Sequence, residues 1–130
     1  MIFTRRRIVV LVAVAGLGVV LGACGSSSPA GAIEGYLRAL VAKDEVAAAN
    51  LACSDWEAQA RAEALSFDAV EVRLEGVECT AGLTSADTTA VVCVGKILAN
   101  YGLEDQEIDL GSRTYRAVRQ SGTWLMCGYQ

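Results

Sequence analysis

The architecture follows from the alternation in Val70-Glu71-Val72-Arg73-Leu74-Glu75-Gly76-Val77-Glu78-Cys79. Alternating apolar and polar side chains are typical of a β-strand that has one face on a core. Val70, Val72 and Leu74 share one face, whereas the apolar residues beyond Gly76 have the opposite parity. A one-residue change of phase at a glycine predicts a β-bulge, and bulges bend strands. The segment therefore predicts a long, bent strand.

Three more β-rich segments follow, and together they predict a curved antiparallel four-stranded sheet. Residues 88–101 are apolar at nearly every position, which predicts a central strand covered on both faces. A third strand is predicted over residues 106–119, with a shift near Gly111. The tight-turn signal at residues 120–123 leads into a last strand over residues 124–129.

The third predicted strand carries a series of arginines, Arg113, Arg116 and Arg119. We expect these side chains to lie on a solvated face of the sheet. Acids on the first strand are their expected partners, namely Glu71, Glu75 and Glu78.

Helical signals precede the strands. Apolar residues recur at helical spacing over residues 32–42, and Asp44 can cap a second helix over residues 45–52. Ser54 and Glu57 have the spacing of a capping box, which predicts a third helix ending near residue 65. Helices followed by antiparallel strands predict an α+β fold in which the N-terminal helices pack on one face of the sheet.

The start of the chain has the layout of an export signal. Three arginines at positions 5–7 precede residues 8–21, which are all apolar or glycine. A run of 14 residues is shorter than the roughly 20 that a bilayer-spanning helix needs. The next residues, Leu21-Gly22-Ala23-Cys24, resemble the lipobox of bacterial lipoproteins.

The lipobox resemblance implies that the signal peptide is cut before Cys24 and that its thiol carries a diacylglyceryl group. It also implies a lipid-anchored protein on the extracytoplasmic side of the cell membrane. We therefore expect a signal peptide over residues 1–23, a lipidated Gly/Ser tether over residues 24–31 and one domain over residues 32–130. No cofactor other than the covalent lipid is expected.

Four cysteines remain once Cys24 is assigned to lipid. Cys79 and Cys93 lie on either side of a predicted hairpin turn, at equal distances from its centre. Directly opposed residues of a hairpin have the spacing that a disulfide needs, so we predict a Cys79–Cys93 bridge and, by elimination, a Cys53–Cys127 bridge. The oxidising compartment and the absence of a C-x-x-C pair argue against a metal site.

Composition limits the chemistry further. Without the leader, the chain has eight basic and fifteen acidic residues, which gives a net charge of −7. An acidic domain argues against binding of nucleic acid and against electrostatic binding to anionic lipid. The chain contains no histidine, which removes Ser-His-Asp catalysis and histidine-ligated metals. No catalytic residue and no metal ligand are predicted.

Two segments of the predicted domain resemble the NTF2-like (cystatin-like cone) superfamily. Ile33-Glu34-Gly35-Tyr36-Leu37-Arg38-Ala39-Leu40-Val41-Ala42-Lys43-Asp44 is similar to the start of that group, and residues 119–127 are similar to its end. The nearer resemblance is to small bacterial lipoprotein domains of this fold. It implies a cone-shaped cavity between helices and sheet. Some members of the superfamily are isomerases or dehydratases, and many only bind or dimerise.

Three functions are compatible with these features. The first is a non-catalytic interaction module that is anchored to the membrane and binds an envelope protein or a second copy. The second is a small-molecule carrier or sensor whose cone is lined by Tyr36, Trp56, Tyr115 and Trp124. The third is an isomerase- or hydrolase-type enzyme that pairs an inward carboxylate with a tyrosine. The anchor, the absent histidine and the two bridges favour the first, and we expect no enzymatic activity.

Overall fold

The structure is a computed structural model that describes residues 26–130. The expected signal peptide and Cys24 lie outside the described residues. Within residues 26–130, none of the helices has the length and apolar character needed to cross a membrane. The elements are α1 (Pro29–Val41), α2 (Glu45–Asn50), α3 (Glu57–Ser66), β1 (Glu71–Ser85), β2 (Thr88–Asn100), β3 (Asp105–Asp109), β4 (Thr114–Gln120) and β5 (Thr123–Tyr129).

The first two helices begin at capping side chains. The Ser28 hydroxyl accepts the backbone N–H of Gly31 at 3.1 Å, and α1 starts at Pro29, three residues before the predicted start. Proline suits this position because its φ is preset and its missing N–H has no helical partner there. Asp44 caps α2 as predicted, since its Oδ1 accepts the N–H of Ala47 at 2.9 Å.

The capping box predicted at Ser54 does not form. Residues 54–56 make a 3-10 turn, and no side chain caps α3. The chain is already fixed one residue earlier, because the N–H of Cys53 donates to the Met126 carbonyl at 2.8 Å and the Cys53 sulfur is bonded to Cys127. The entry into α3 is therefore set by attachment to β5 rather than by a local cap.

The sheet is curved, open and antiparallel, but it has five strands where four were predicted. Its order is β1-β2-β4-β5, and β3 pairs with the last five residues of β2. The predicted third strand is divided by a 3-10 turn over residues 110–112, which Asp109 stabilises by accepting the N–H of Gly111 at 2.8 Å. Both halves lie along the same side of β2, and the 3-10 turn interrupts the strand between them.

The predicted bulge in β1 is confirmed. The register against β2 shifts between Glu75 and Glu78, and Gly76 has a φ of +61°. The hairpin turn is also where it was predicted, and Cys79 pairs with Cys93 across it. Opposite the bulge, Gly95 of β2 has a φ of +98°, and a Cβ there would lie 2.6 Å from the Gly76 carbonyl oxygen. Glycine is therefore required at residue 95 on two grounds, its conformation and the close approach of β1.

All of the helices pack on one face of the sheet, and the core lies between them. Ile33, Tyr36 and Leu37 of α1 are fully buried against Val91 and Tyr115 of the sheet. The prediction that the second strand is covered on both faces is wrong. Within residues 26–130, no helix covers the other face along residues 88–94, and Val92 and Val94 there are 51% and 60% exposed.

Both predicted disulfides are present. Cys79–Cys93 joins β1 to β2 with a Cα–Cα distance of 4.0 Å, and Cys53–Cys127 joins the helical part to β5 at 5.2 Å. The second bridge holds the 3-10 turn before α3 against the sheet, which places Trp56 beside β5.

The chain contacts the domain at a residue that was predicted to belong to the tether. Ser26 already forms a β-bridge with Trp124, whose N–H donates to the Ser26 carbonyl at 3.1 Å. Most of the expected tether over residues 24–31 is therefore attached to the domain.

Candidate functional site

Four aromatic side chains lie together in the cone, Tyr36, Trp56, Tyr115 and Tyr129, which we call the aromatic cluster. Tyr129 makes edge-to-face contacts with Trp56 and Tyr115, at centroid distances of 5.7 and 5.6 Å. Trp56 packs against β5 at Gly128, where an added Cβ would lie in ordinary van der Waals contact with the indole ring, at 3.4 Å. Edge-to-face pairs add about 0.5–1.5 kcal/mol each beyond the area they bury.

A carboxylate, Glu63 of α3, lies at the centre of the polar contacts in the cone. Its two oxygens accept hydrogen bonds from the Tyr36 hydroxyl at 2.9 Å and from the Tyr129 hydroxyl at 3.0 Å. The Gln59 amide is a third donor at 3.4 Å. Trp56 extends the network, since its indole N–H donates to the Tyr36 oxygen at 3.2 Å.

The tyrosines of the aromatic cluster are held in their neutral form. Burial raises the pKa of Tyr36, and the negative charge of Glu63 raises it further. The pKa of Tyr129 is raised by the same two causes in the same order. Burial also raises the pKa of Tyr115, although the guanidinium of Arg113 opposes the rise. These hydroxyls therefore act as hydrogen-bond donors and not as bases at neutral pH.

A small cavity of about 210 Å³ remains at the mouth of the cone. Its polar lining includes Glu63, Arg113 and Tyr101, and its apolar walls include Leu40 and Ile97. The Arg113 guanidinium lies 4.3 Å from the centre of the Tyr129 ring, a cation–π contact. The cavity thus presents one cation and one carboxylate to solvent.

A larger groove of about 480 Å³ lies where β2, β4 and β5 meet. Trp56, Tyr115 and Tyr129 line one side of it. Arg116 lines the other, and its Nε donates to the Cys127 carbonyl at 3.2 Å. The Tyr115 hydroxyl is buried and has no hydrogen-bond partner within residues 26–130. The groove therefore combines aromatic surface with the guanidinium of Arg116 and the carboxylate of Asp55.

The sheet face away from the helices is a third candidate surface, which we call the open face. Ala90, Val92 and Val94 project from it along β2 and are exposed. Val118 of β4 and Leu125 of β5 pair with each other on the same face and are half-buried. The open face is therefore apolar along its central strand.

The structure brings together three of the four residues predicted to line a cavity. Trp56 and Tyr115 line the groove, and Tyr36 contacts Trp56 deeper in the cone. Trp124 is buried elsewhere, at the start of β5, where the Arg119 guanidinium lies 5.5 Å from its ring centre. Trp124 therefore belongs to neither the groove nor the cone mouth.

The arginines of the third predicted strand were expected to pair with the acids of β1, but they do not. Arg113 stacks on Tyr129, and Arg116 bonds to the backbone of β5. Arg119 pairs with Asp87 of the hairpin turn at 2.6 Å. The prediction failed because β2 separates β4 from β1 in the sheet order.

Sequence reasoning missed Glu63. A signal for it exists in α3, where Ala60, Ala64 and Phe67 form the buried stripe and residue 63 lies beside it at helical spacing. A carboxylate at the edge of a buried helical stripe points toward the core and requires donors there. Among the described residues, no group of three or more Cys, Asp or Glu side chains is arranged to hold a metal ion.

The fold is NTF2-like. Similar solved structures include an NTF2-like protein from Streptomyces avermitilis for which a dehydratase activity has been suggested, with a TM-score of 0.52 and 15% identity. That alignment covers 75% of this chain and 87% of the other. No protein-family profile matches the sequence, and no curated protein matches it.

Two other solved structures share the fold with little sequence similarity. A SEC-C motif-containing protein from Rhodopseudomonas palustris gives a TM-score of 0.56 at 12% identity, covering 80% of this chain and 78% of its own. Aln2 from a Streptomyces species gives 0.55 at 14% identity, covering 76% and 82%. At such identities the likeness establishes the fold and carries no activity to this chain.

Proposed function

We propose that this protein is an extracytoplasmic lipoprotein whose NTF2-like domain is a non-catalytic module that binds another protein. The lipobox-like sequence at residues 21–24 supports the anchor. Two disulfides support an oxidising compartment, because such bridges persist outside the cytoplasm. The cavity at the mouth of the cone is only about 210 Å³, which supports a role for the outer surface over a role for the interior.

The observation that carries the binding role is the exposure of Val92 and Val94 on the open face. Both lie on a strand with neighbours on each side, so they are not the fraying end of an element. Apolar side chains grouped on an exposed sheet face are typical of an interaction surface. Burying them against a partner is favourable by about 25 cal/mol per Å² of apolar surface.

The binding role is tested by native mass spectrometry of the protein gently extracted from its own membrane. We expect a mass that corresponds to a dimer or to a complex with one protein partner. The double substitution Val92→Glu with Val94→Glu should abolish that complex. Val46→Glu is the matched control, because Val46 is 54% exposed and lies on α2, away from the open face. A strictly monomeric wild type would contradict the proposal.

The anchor is tested at Cys24. In the denatured protein we expect a chain that begins at Cys24 and carries the mass of a diacylglyceryl group, with or without a further acyl chain. Cys24→Ala should abolish both the added mass and the processing of the leader. An unmodified chain cleaved at another residue would contradict the lipoprotein assignment.

The groove favours a second candidate function, that of a small-molecule carrier or sensor. Its volume of about 480 Å³ lies within the roughly 300–1,000 Å³ of small-molecule sites. The Arg116 guanidinium is a charged donor that the groove offers to a ligand. For this function, the native spectrum should contain an adduct of a few hundred daltons that Arg116→Gln weakens.

The isomerase-type alternative has one supporting feature, the inward carboxylate of Glu63 beside Tyr36 and Tyr129. Three donors already engage this carboxylate, which leaves it poorly placed to take a proton from a substrate. We therefore rank the enzyme below the carrier.

A further inference from the structure

The described structure fixes where an anchored chain must leave the domain. From Ser26 onward the chain is attached, since Ser26 pairs with Trp124 and its hydroxyl accepts the N–H of Ser28 at 3.2 Å. Only Gly25 separates Ser26 from Cys24. Two residue steps span at most about 7 Å. A lipid on Cys24 therefore holds the start of β5 close to the bilayer surface.

We propose that one end of the domain rests on the lipid headgroup surface and so fixes the orientation of the whole molecule. This anchored end consists of Ser26, the β1–β2 turn at residues 86–87 and the β4–β5 turn at residues 121–122. The proposal rests on the lipid anchor proposed above. Its partner is a bilayer surface.

The sheet register places these three segments together. Trp124 pairs with Ser26 on one side and with Arg119 on the other. The N–H of Arg119 donates to the Asp87 carbonyl at 2.8 Å, which joins the β4–β5 turn to the β1–β2 turn. Leu83, 96% exposed and three residues from the first turn, is the apolar side chain that this hairpin offers to the interface.

Charge distinguishes the anchored end from the rest of the domain. Over residues 26–31, 80–90 and 117–125, the only charged side chains are Asp87 and Arg119, and they pair with each other. The other fourteen acids of the chain lie elsewhere. Because membranes carry negative surface charge, an acidic domain approaches most easily through its neutral end.

The opposite end carries the cone mouth. Leu40, near the C-terminus of α1, and Tyr101, just after β2, both line that cavity. A helix of 13 residues is about 20 Å long, so the cone mouth opens well away from the tether. In this orientation Arg113 and Glu63 face the envelope space, and the open face is roughly perpendicular to the membrane plane.

The two tryptophans are natural reporters of this orientation. Trp124 lies at the anchored end, whereas Trp56 contacts Gly128, four residues farther along β5. Four strand residues correspond to about 13 Å. The variants Trp56→Phe and Trp124→Phe each leave one reporter in the full lipidated protein.

The lipidated variants are reconstituted into phosphatidylcholine–phosphatidylglycerol vesicles whose acyl chains carry bromine near the headgroups. Flotation with the vesicles reports anchoring, and loss of fluorescence reports proximity to the bilayer. We expect a several-fold greater loss for Trp124 than for Trp56. Because Trp124 is buried, a second pair adds an indole at exposed sites, Gln120→Trp at the anchored end and Leu103→Trp at the opposite end.

Each outcome decides a different point. Greater quenching at residues 124 and 120 than at residues 56 and 103 supports the orientation. Equal quenching at both ends, in protein that floats with the vesicles, overturns the orientation and leaves the lipoprotein assignment intact. Wild-type protein that does not float overturns the anchor and the orientation together.

Discussion

Tyr36→Phe tests whether the network around Glu63 holds the cone together. Tyr36 is fully buried, and its hydroxyl both donates to Glu63 and accepts from the Trp56 indole. Removing the oxygen leaves one carboxylate oxygen without its donor and the indole N–H without its acceptor. Each unsatisfied group costs about 1–3 kcal/mol, so we expect a loss of about 2–4 kcal/mol in the free energy of unfolding.

Tyr129→Phe is the matched control. It removes the same atom from a half-buried tyrosine that bonds to the other oxygen of Glu63. That oxygen keeps the Gln59 amide as a donor, and water can reach the site. The expected loss is therefore about 1 kcal/mol, the usual net value of one hydrogen bond.

The assay is urea denaturation with the disulfides intact, followed by tryptophan fluorescence and far-ultraviolet circular dichroism. A double-mutant cycle of Tyr36→Phe with Glu63→Gln isolates the interaction between the two residues. A Tyr36→Phe variant no less stable than Tyr129→Phe would refute the reasoning. A coupling energy near zero between Tyr36 and Glu63 would do the same.

Three further predictions concern the strand crossing, the bridges and pH. In thermal unfolding, Gly95→Ala should destabilise the domain by about 1–3 kcal/mol more than Gly102→Ala. The two residues have nearly equal φ (+98° and +100°), but only a Cβ at residue 95 would contact the backbone of another strand. Equal losses would contradict this account. The bridged residues are separated by 74 and 14 positions. Loop-closure entropy therefore predicts that the free energy of unfolding falls by about 4.5 kcal/mol for Cys53→Ala with Cys127→Ala and by about 3 kcal/mol for Cys79→Ala with Cys93→Ala. Denaturant titration would show the reverse order if the long loop were already constrained in the unfolded chain. The tyrosines of the aromatic cluster have raised pKa values in the folded protein. Their contribution to stability is therefore fully present below about pH 10, where unfolded tyrosines are still neutral, and is lost as the pH rises through the higher folded pKa values. The tyrosinate absorbance of folded and unfolded protein, compared at the same pH, checks this prediction.

The sequence predicted those features that are encoded locally. The alternation broken at Gly76 located the bulge, and the spacing of Cys79 and Cys93 about a turn located their bridge. The shift near Gly111 located the point at which the third strand is interrupted, but the pattern did not reveal that a 3-10 turn there divides it into two strands. Exposure of Val92 was missed for a similar reason, since an apolar run does not reveal how many layers cover it.

The candidate sites depend still more on tertiary contacts. Tyr36 and Trp56 were singled out from the sequence as aromatic side chains that could line the cone. Their contacts were not predicted, because the partner residues lie far away in the sequence. Glu63 reaches Tyr129 across 66 residues of sequence, and the capping role expected of Ser54 gave way to the attachment of Cys53 to β5. Pairing of this kind is decided by the whole fold, and a single sequence does not display it.

The two proposals constrain each other. If the anchored end lies on the bilayer, the strands lead away from the membrane and the open face stands upright on it, so a partner at Val92 and Val94 must lie beside the domain. A second lipid-anchored copy in the same membrane meets this condition directly. Confinement to one surface raises the effective concentration of such a partner without adding a contact. If the partner is a second copy, the dimer expected in the native spectrum should therefore become more populated on vesicles as the surface density of the lipidated protein rises.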